Sequence, residues 1–310
     1  MLGSFITPCE RTGHIQALEE FFDIEYSQDF NHIISSNKPA IIWNYYAYLT
    51  PFGRNLKLRH DVWQWYREHQ KEAYCMERGG LPDTVYLDAH GFCNESISYY
   101  KWPEHKAQSS IDEYLNNLIN TESSLEKQSK GRSIETIKSF SVDSKFEKVI
   151  FVPLQVRHDT TIIVSSKISV SEFLYQIEVL AQDNPNWLFL IKSHPLDWHN
   201  FDETDNIVRA DFFHYKDCVA VADAVVCINS GVGLQALAWA KPVYTLGHSY
   251  YAQKGLATFS TVASLQRDLE DEHLPNYNSV RQFFSFLVNE FYTECDNITH
   301  KFKTPIKLFY

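Results

Sequence analysis

No Cys-x-x-Cys pair occurs in this chain of 310 residues; its six cysteines, Cys9, Cys75, Cys93, Cys218, Cys227 and Cys295, stand singly. That spacing fits no zinc module and reads as free thiols in a reducing compartment. Basic residues are scarce, 28 Lys and Arg against 39 Asp and Glu, which gives a formal net charge of −11. Gripping a phosphate backbone takes clustered cations, so nucleic acid is excluded as a partner class. A small phosphate pocket built from a few local donors is not excluded. No apolar run reaches the roughly 18 residues of a membrane-crossing helix. The opening MLGSFITPCERTGH lacks the basic-then-apolar order of a secretory leader. The expectation is a cytoplasmic protein, with peripheral contact at the inner membrane left open. There is no Gly-Lys-Ser/Thr phosphate loop, no full Gly-x-Gly-x-x-Gly fingerprint and no internal repeat.

What is present is the composition of a globular chain, 44% hydrophobic and 22% charged, with 15% aromatics to build core and pocket walls. In the first half the pattern suggests a helix over 12–24, a strand at 40–45, a helix over 58–75 and a strand at 85–88. Residues 104–145 are polar and read as helices with a solvated connector. From 148 onward strands and helices alternate regularly: strands at 148–156, 187–195, 224–229 and 241–247, helices at 169–183, 214–223 and 230–240. Continuous apolar strands between helices imply a doubly wound α/β lobe. A last helix is expected over 279–296, followed by the tail KFKTPIKLFY. The domain reading is an N-terminal lobe 1–145, a nucleotide-sugar lobe 146–278, and a C-terminal piece 279–310 that packs back on the first lobe or on a membrane face.

Ligands of open α/β sheets bind outside the carboxyl ends of the strands, so polar residues just after the strands are the candidates. Gln155-Val156-Arg157-His158-Asp159 supplies a carboxylate and a cation; Asp159 is either a reacting group or the cap of a turn. Lys192-Ser193-His194-Pro195 sets two cations beside a rigid turn, suited to neutralising a leaving phosphate. Asn229-Ser230-Gly231-Val232-Gly233 opens a helix, where backbone N–H groups favour a phosphate, although glycine at a tight strand–helix turn also has a purely steric use. Tyr251 and Lys254, in GHSYYAQKGL, either wall a sugar or base pocket or belong to a loop packed on the core. In the first half Glu77 stands at the glycine-marked break ERGGLP.

Taken in order, VPLQVRHDTTI, IKSHPLD, CINSGVGLQALAWAKPVYTLG and YYAQKGLAT resemble the bacterial capsule polysaccharide synthesis/export family, and within it the retaining β-Kdo transferases that start the lipid-linked terminus of group 2 capsules. ERGGLP and GFCNES in the first half resemble it more loosely. The resemblance implies a GT-B-like fold of two Rossmann-type lobes facing across a cleft, CMP-Kdo as donor and a β-linkage formed with retention. It implies Asp159 as nucleophile, Glu77 as acid/base, and His194 with Lys192 on the donor's phosphate or carboxylate. Ser230, Gly231 and Gly233 would seat the cytidylate, with Gln155, Arg157, Ser193, Asn229, Gln235, Tyr251 and Lys254 completing the donor site. No metal and no cofactor are expected, since CMP leaves readily and the crevice shows no Asp-x-Asp motif.

Two departures stand out. Gln235 occupies the position where the family usually carries a ribose-binding Glu, and the family's opening strand with its glycine turn is not evident before residue 12. Partners implied are a nucleotide-sugar donor and a lipid-linked or oligosaccharide acceptor, with the cytoplasmic membrane face or capsule-assembly proteins as further contacts. Two other readings stay open: a transferase using a different activated sugar, and a catalytically silent subunit of a capsule-assembly complex. The tail's Lys301, Lys303 and Lys307, interleaved with apolar residues, suits either an anionic membrane or docking on the other lobe.

Overall fold

The computed structural model describes residues 3–128 and 146–310. They form two compact units, Met1–Lys106 with Phe284–Tyr310, and Ala107–Phe283. The boundary expected near residue 145 lies outside the described residues. Residues from 107 onward group with the second unit for a visible reason. The helix Ile111–Asn120 buries Ile111, Leu115 and Leu118. Its Asp112 takes a bidentate pair from Arg281, at 2.7 and 2.8 Å, and a hydrogen bond from the Tyr277 hydroxyl at 3.1 Å.

Unit 1 holds β1 (Ser4–Thr7), β2 (Asp23–Tyr26), β3 (Ala40–Trp43), β4 (Ala73–Arg78) and β5 (Thr84–Asp88), and the C-terminal segment adds β12 (Thr293–Glu294) and β13 (Leu308–Phe309). The sheet order is β12-β5-β4-β3-β1-β2, with β13 also on β5. Strands β1 to β4 are parallel, and β5 runs antiparallel to β4. Unit 2 holds β6 (Lys148–Pro153), β7 (Trp187–Lys192), β8 (Ile207–Arg209), β9 (Ala224–Cys227), β10 (Val243–Thr245) and β11 (Thr258–Phe259), in the order β11-β10-β9-β6-β7-β8. Every pairing in it is parallel. β7 is buried at all six positions, as a parallel strand covered on both faces should be.

The structure corrects several expectations. The opening strand exists: it is β1, and Gly13 (φ +55) turns the chain after it into the helix Gly13–Ala17. Four residues, SFIT, are too few to show a pattern. The helix expected over 12–24 is this short helix, a 3-10 turn at Leu18–Glu20, and β2. The helix expected over 58–75 is Lys57–Glu68; Gln70 takes a left-handed φ of 53°, and β4 begins at Ala73. The final helix is Tyr277–Phe286, which loosens into a π-helical turn at Leu287–Phe291 before β12. In the tail, Lys307 points inward, donating to the carbonyls of Val288 and Tyr292 at 2.6 and 2.5 Å. Among the described residues no helix is long and apolar enough to cross a membrane.

Candidate functional site

In unit 2 the chain leaves β6 toward β7 and β8, then returns to the other side of β6 for β9, β10 and β11. The strand order therefore reverses between β6 and β9, and a crevice opens outside the carboxyl ends of these two strands. Gln155 follows β6 and Asn229 follows β9, and their side chains bridge that point. The Gln155 amide donates to Asn229 Oδ1 at 3.0 Å, and Asn229 N donates to Gln155 Oε1 at 3.1 Å. Asn229 Nδ2 also donates to the carbonyls of Thr161 at 3.0 Å and His248 at 3.4 Å. One buried amide thus ties together the loops after β6, β9 and β10. Gln155 and Asn229 bind protein and set the crevice floor; their amides are already engaged.

Asp159 is the N-cap of the helix Thr160–Ser165. Its Oδ1 accepts from the Thr161 amide at 2.8 Å and the Thr161 hydroxyl at 2.7 Å. Oδ2 has no hydrogen-bond partner among the described residues. A carboxylate so held is fixed in direction by one oxygen and open at the other. His194, after β7, lies within electrostatic reach of Asp159. Burial pushes its pKa below the ordinary histidine value, outweighing the pull of the Asp159 and Asp197 carboxylates. Its Nδ1 accepts the Leu196 amide at 3.1 Å, so the neutral ring carries its proton on Nε2 and presents it as a donor. Ser230 caps the helix Gly231–Ala236 through Val232 N at 3.2 Å, and the helix continues as a 3-10 turn to Trp239. The helix starts where β9 ends, with its first-turn N–H groups beside the crevice.

Other candidates serve elsewhere. Tyr251 does not wall a pocket: it is 0% exposed, donating to Ser230 O at 2.5 Å and lying 3.5 Å from Cys227 Sγ. Gly233 is glycine because of it, since a Cβ there would come within 2.5 Å of the Tyr251 hydroxyl and 2.8 Å of Cys227 Sγ. Gly233→Ala is expected to cost about 1–3 kcal/mol by urea denaturation, with Tyr251→Phe in the same chain recovering part of it. A Gly233→Ala chain as stable as wild type would refute that packing. Lys192 is buried and donates to the carbonyls of Asp211 at 3.1 Å and Ala210 at 3.5 Å, bracing the segment after β8. Ser193 is held by Asp211, which accepts its amide at 2.6 Å. Arg157 pairs with Asp197 at 2.8 Å and borders a cavity of about 310 Å³ with Tyr175, Glu178 and His199. Lys254 is exposed. Glu77 ends the inner part of β4, half-buried, and accepts the Arg78 amide at 2.8 Å.

Gln235 belongs to a buried cluster that the sequence did not announce. Its Oε1 accepts from the Tyr215 hydroxyl at 2.6 Å. The same hydroxyl is also within hydrogen-bond reach of Glu126, so its one proton serves one of the two acceptors at a time, and Glu126 pairs with Lys216 at 3.0 Å. Lys216 also donates to the Thr121 carbonyl. Glu126 is 8% and Lys216 1% exposed. Thr161, Asp197, Asp211 and this cluster were missed because polar groups that touch only protein carry no strand-end signature.

Two Rossmann-like α/β lobes, the second with a polar crevice at its switch point, define a protein of the GT-B-like class. Within that class, residues 64–284 match the family described as capsule polysaccharide biosynthesis protein, and the chain belongs to that family. Among solved structures it is similar to the β-Kdo 2,7 transferase of KpsC from Thermosulfurimonas dismutans, with TM-score 0.60 and 18% identity over 97% of this chain and 94% of that one. The β-Kdo 2,4 transferase of the same protein gives TM-score 0.59 and 13% identity over 96% of this chain and 94% of that one. Among curated proteins, Protein FixF of Sinorhizobium fredii (strain NBRC 101917 / NGR234) is 31% identical over 153 residues, 45% of this chain. The matched stretch spans 37% of the length of that relative.

Proposed function

We propose that this chain is a glycosyltransferase of bacterial capsular polysaccharide assembly that moves Kdo, with retention, from CMP-Kdo to a lipid-linked or glycan acceptor. The observation that supports the reading is the switch-point crevice between β6 and β9, where Asp159 caps the helix after β6 and Ser230 opens the helix after β9. The family supplies the polysaccharide context, and the Kdo transferases that share the fold supply the donor.

In this reading Asp159 Oδ2 attacks the anomeric carbon while the bond from that carbon to the phosphate oxygen breaks, and CMP departs with the electron pair. His194 Nε2–H and the N–H groups at Gly231 receive the phosphate's charge. An acceptor hydroxyl then gives its proton to Glu77, attacks the same carbon and releases Asp159. Two inversions give net retention. Glu77 enters on family resemblance, and a metal is not required because the leaving group is already a stable anion.

Calorimetric titration with CMP, CDP, UDP and GDP, without and with magnesium, tests the donor. CMP is expected to bind best, unaffected by magnesium, and His194→Ala to weaken it about 10- to 100-fold, the worth of one hydrogen bond to a charged group. Preference for a nucleoside diphosphate would keep the transferase class and remove CMP-Kdo. Binding of none would replace the reading with that of a silent assembly subunit.

A further inference from the structure

Unit 1 has a switch point of its own. β2 pairs with one side of β1 and β3 with the other, so the strand order reverses between β1 and β3. A crevice is expected outside their carboxyl ends, and a cavity of about 280 Å³ lies there. Three neighbouring parallel strands deliver their ends to it: Cys9 and Glu10 follow β1, Trp43 closes β3 and Arg78 closes β4. Arg59 comes from the helix Lys57–Glu68, and His300 from the C-terminal segment.

The charges on this wall are not matched by the protein. Arg11, Arg157, Arg209, Arg267 and Arg281 each pair with a carboxylate. Arg59 and Arg78 have no such partner among the described residues; nor do Arg54 and Arg67, which lie outside this lining. Arg59 makes one long hydrogen bond, to the Trp43 carbonyl at 3.3 Å, and its buried Nε has none. A buried, charged donor without an acceptor is costly, and an incoming oxyanion relieves it. Glu10 is the one carboxylate of the lining; it is exposed, as is Arg78, whereas Arg59 is half-buried. His14 stacks on Trp43 with centroids 5.2 Å apart and lies 3.4 Å from the His300 ring nitrogen. Burial, then His300 and Arg78, push the His14 pKa down to about 4, so near neutral pH it adds no charge. The remaining charges of the lining are the two guanidinium groups and the Glu10 carboxylate.

We propose that this cavity is an anion-recognition site of the N-terminal unit, in which Arg59 and Arg78 take a carboxylate or phosphate and Trp43 and His300 border the group that carries it. Its size is just below the roughly 300 Å³ at which pockets for drug-sized ligands begin, which suits one charged sugar or a phosphate with its first substituent. That the anion belongs to the acceptor rests on the transferase reading; the site itself does not.

The test is calorimetric titration of the full chain at low salt with inorganic phosphate and, separately, with glucuronate, glucose serving as the uncharged control. Saturable binding of at least one anion is expected, weakened about tenfold by Arg78→Gln and by Arg59→Lys, which keeps charge and bulk but loses the forked donor. CMP binding should be unchanged in both variants. Stronger binding of phosphate would assign the site to a phosphorylated carrier, and stronger binding of glucuronate to an acidic sugar. No saturable binding of either anion, or binding indifferent to both substitutions, overturns the site. A chain that binds no CMP yet keeps arginine-dependent anion binding retains this site and loses the transferase reading. A chain that binds CMP and neither anion loses this site alone.

Discussion

Asp159→Asn is expected to lower sugar transfer by about a thousandfold or more while leaving the urea midpoint where it is in the wild type. The variant separates the capping role that the structure shows from the nucleophile's role proposed above. Asp159 caps the helix Thr160–Ser165 through Oδ1, and asparagine offers a carbonyl oxygen in the same place. Asn and Asp are near-equal N-caps, so the helix should not register the change. The second oxygen is another matter, because an amide nitrogen in place of Oδ2 cannot form the ester-like glycosyl intermediate. Asp159→Ala removes both, and should lose about 1 kcal/mol of stability in addition to activity. Transfer assays with whichever donor the calorimetry selects, run beside denaturation curves, give the comparison. An asparagine variant that still turns over at a tenth of the wild-type rate or better would strip Asp159 of the nucleophile's role and leave it only the cap.

The second large effect concerns folding. Glu126→Ala is expected to destabilise the chain by about 3–5 kcal/mol, a large part of the 5–15 kcal/mol that holds a typical domain together. The alanine leaves the Lys216 ammonium, 1% exposed, with the Thr121 carbonyl and no counter-charge. The Tyr215 hydroxyl also loses the Glu126 carboxylate and keeps Gln235 as acceptor. Pairing Glu126→Ala with Lys216→Met removes both charges and should recover most of the loss, since apolar replacement of a buried pair is often near neutral. The urea midpoint of the double variant decides: if it is no better than Glu126→Ala alone, the penalty comes from packing and not from a stranded charge.

Gln235 gains a meaning from that cluster. Where the family usually carries a glutamate, a second carboxylate would stand beside the Tyr215 hydroxyl that already serves Glu126. Glutamine keeps an acceptor for Tyr215 without adding a charge to a site that is only 8% exposed. The departure seen in the sequence is thus compatible with an internal electrostatic cause, independent of which nucleotide is bound.

The fold was legible where the signal is long or doubly marked. β6 and β7 announce themselves as unbroken apolar runs, and the helix Val170–Asp183 begins with a full capping box between Ser169 and Glu172. β1, β8 and β11 did not show, because strands of two to four residues carry too little alternation to rise above their surroundings. β12 and β13 are invisible for another reason: two residues each, they are strands only because β5 offers an edge. Among the candidate site residues, Asp159, His194 and Ser230 could be singled out because polar residues at the ends of buried strands are conspicuous. Tyr251 could not be placed, since an aromatic in a polar loop reads equally as pocket wall and as core. Arg59 and Arg78 escaped notice because their meaning lies in the absence of acidic partners, which no linear pattern records.

The placement of β12 and β13 on β5 also bears on how the molecule comes into being on the ribosome. Chains usually acquire structure in the order in which they are made. Here the edge of the first sheet waits for residues 293–309, whereas the second unit is a continuous stretch that ends at Phe283. The later-numbered unit can therefore finish assembling while the earlier one is still incomplete, its apolar β5 without final neighbours until synthesis has passed it by more than two hundred residues. A chain cut shortly after residue 283 would hold every residue of the second unit and leave the first without β12 and β13, the reverse of what their order in the message would suggest.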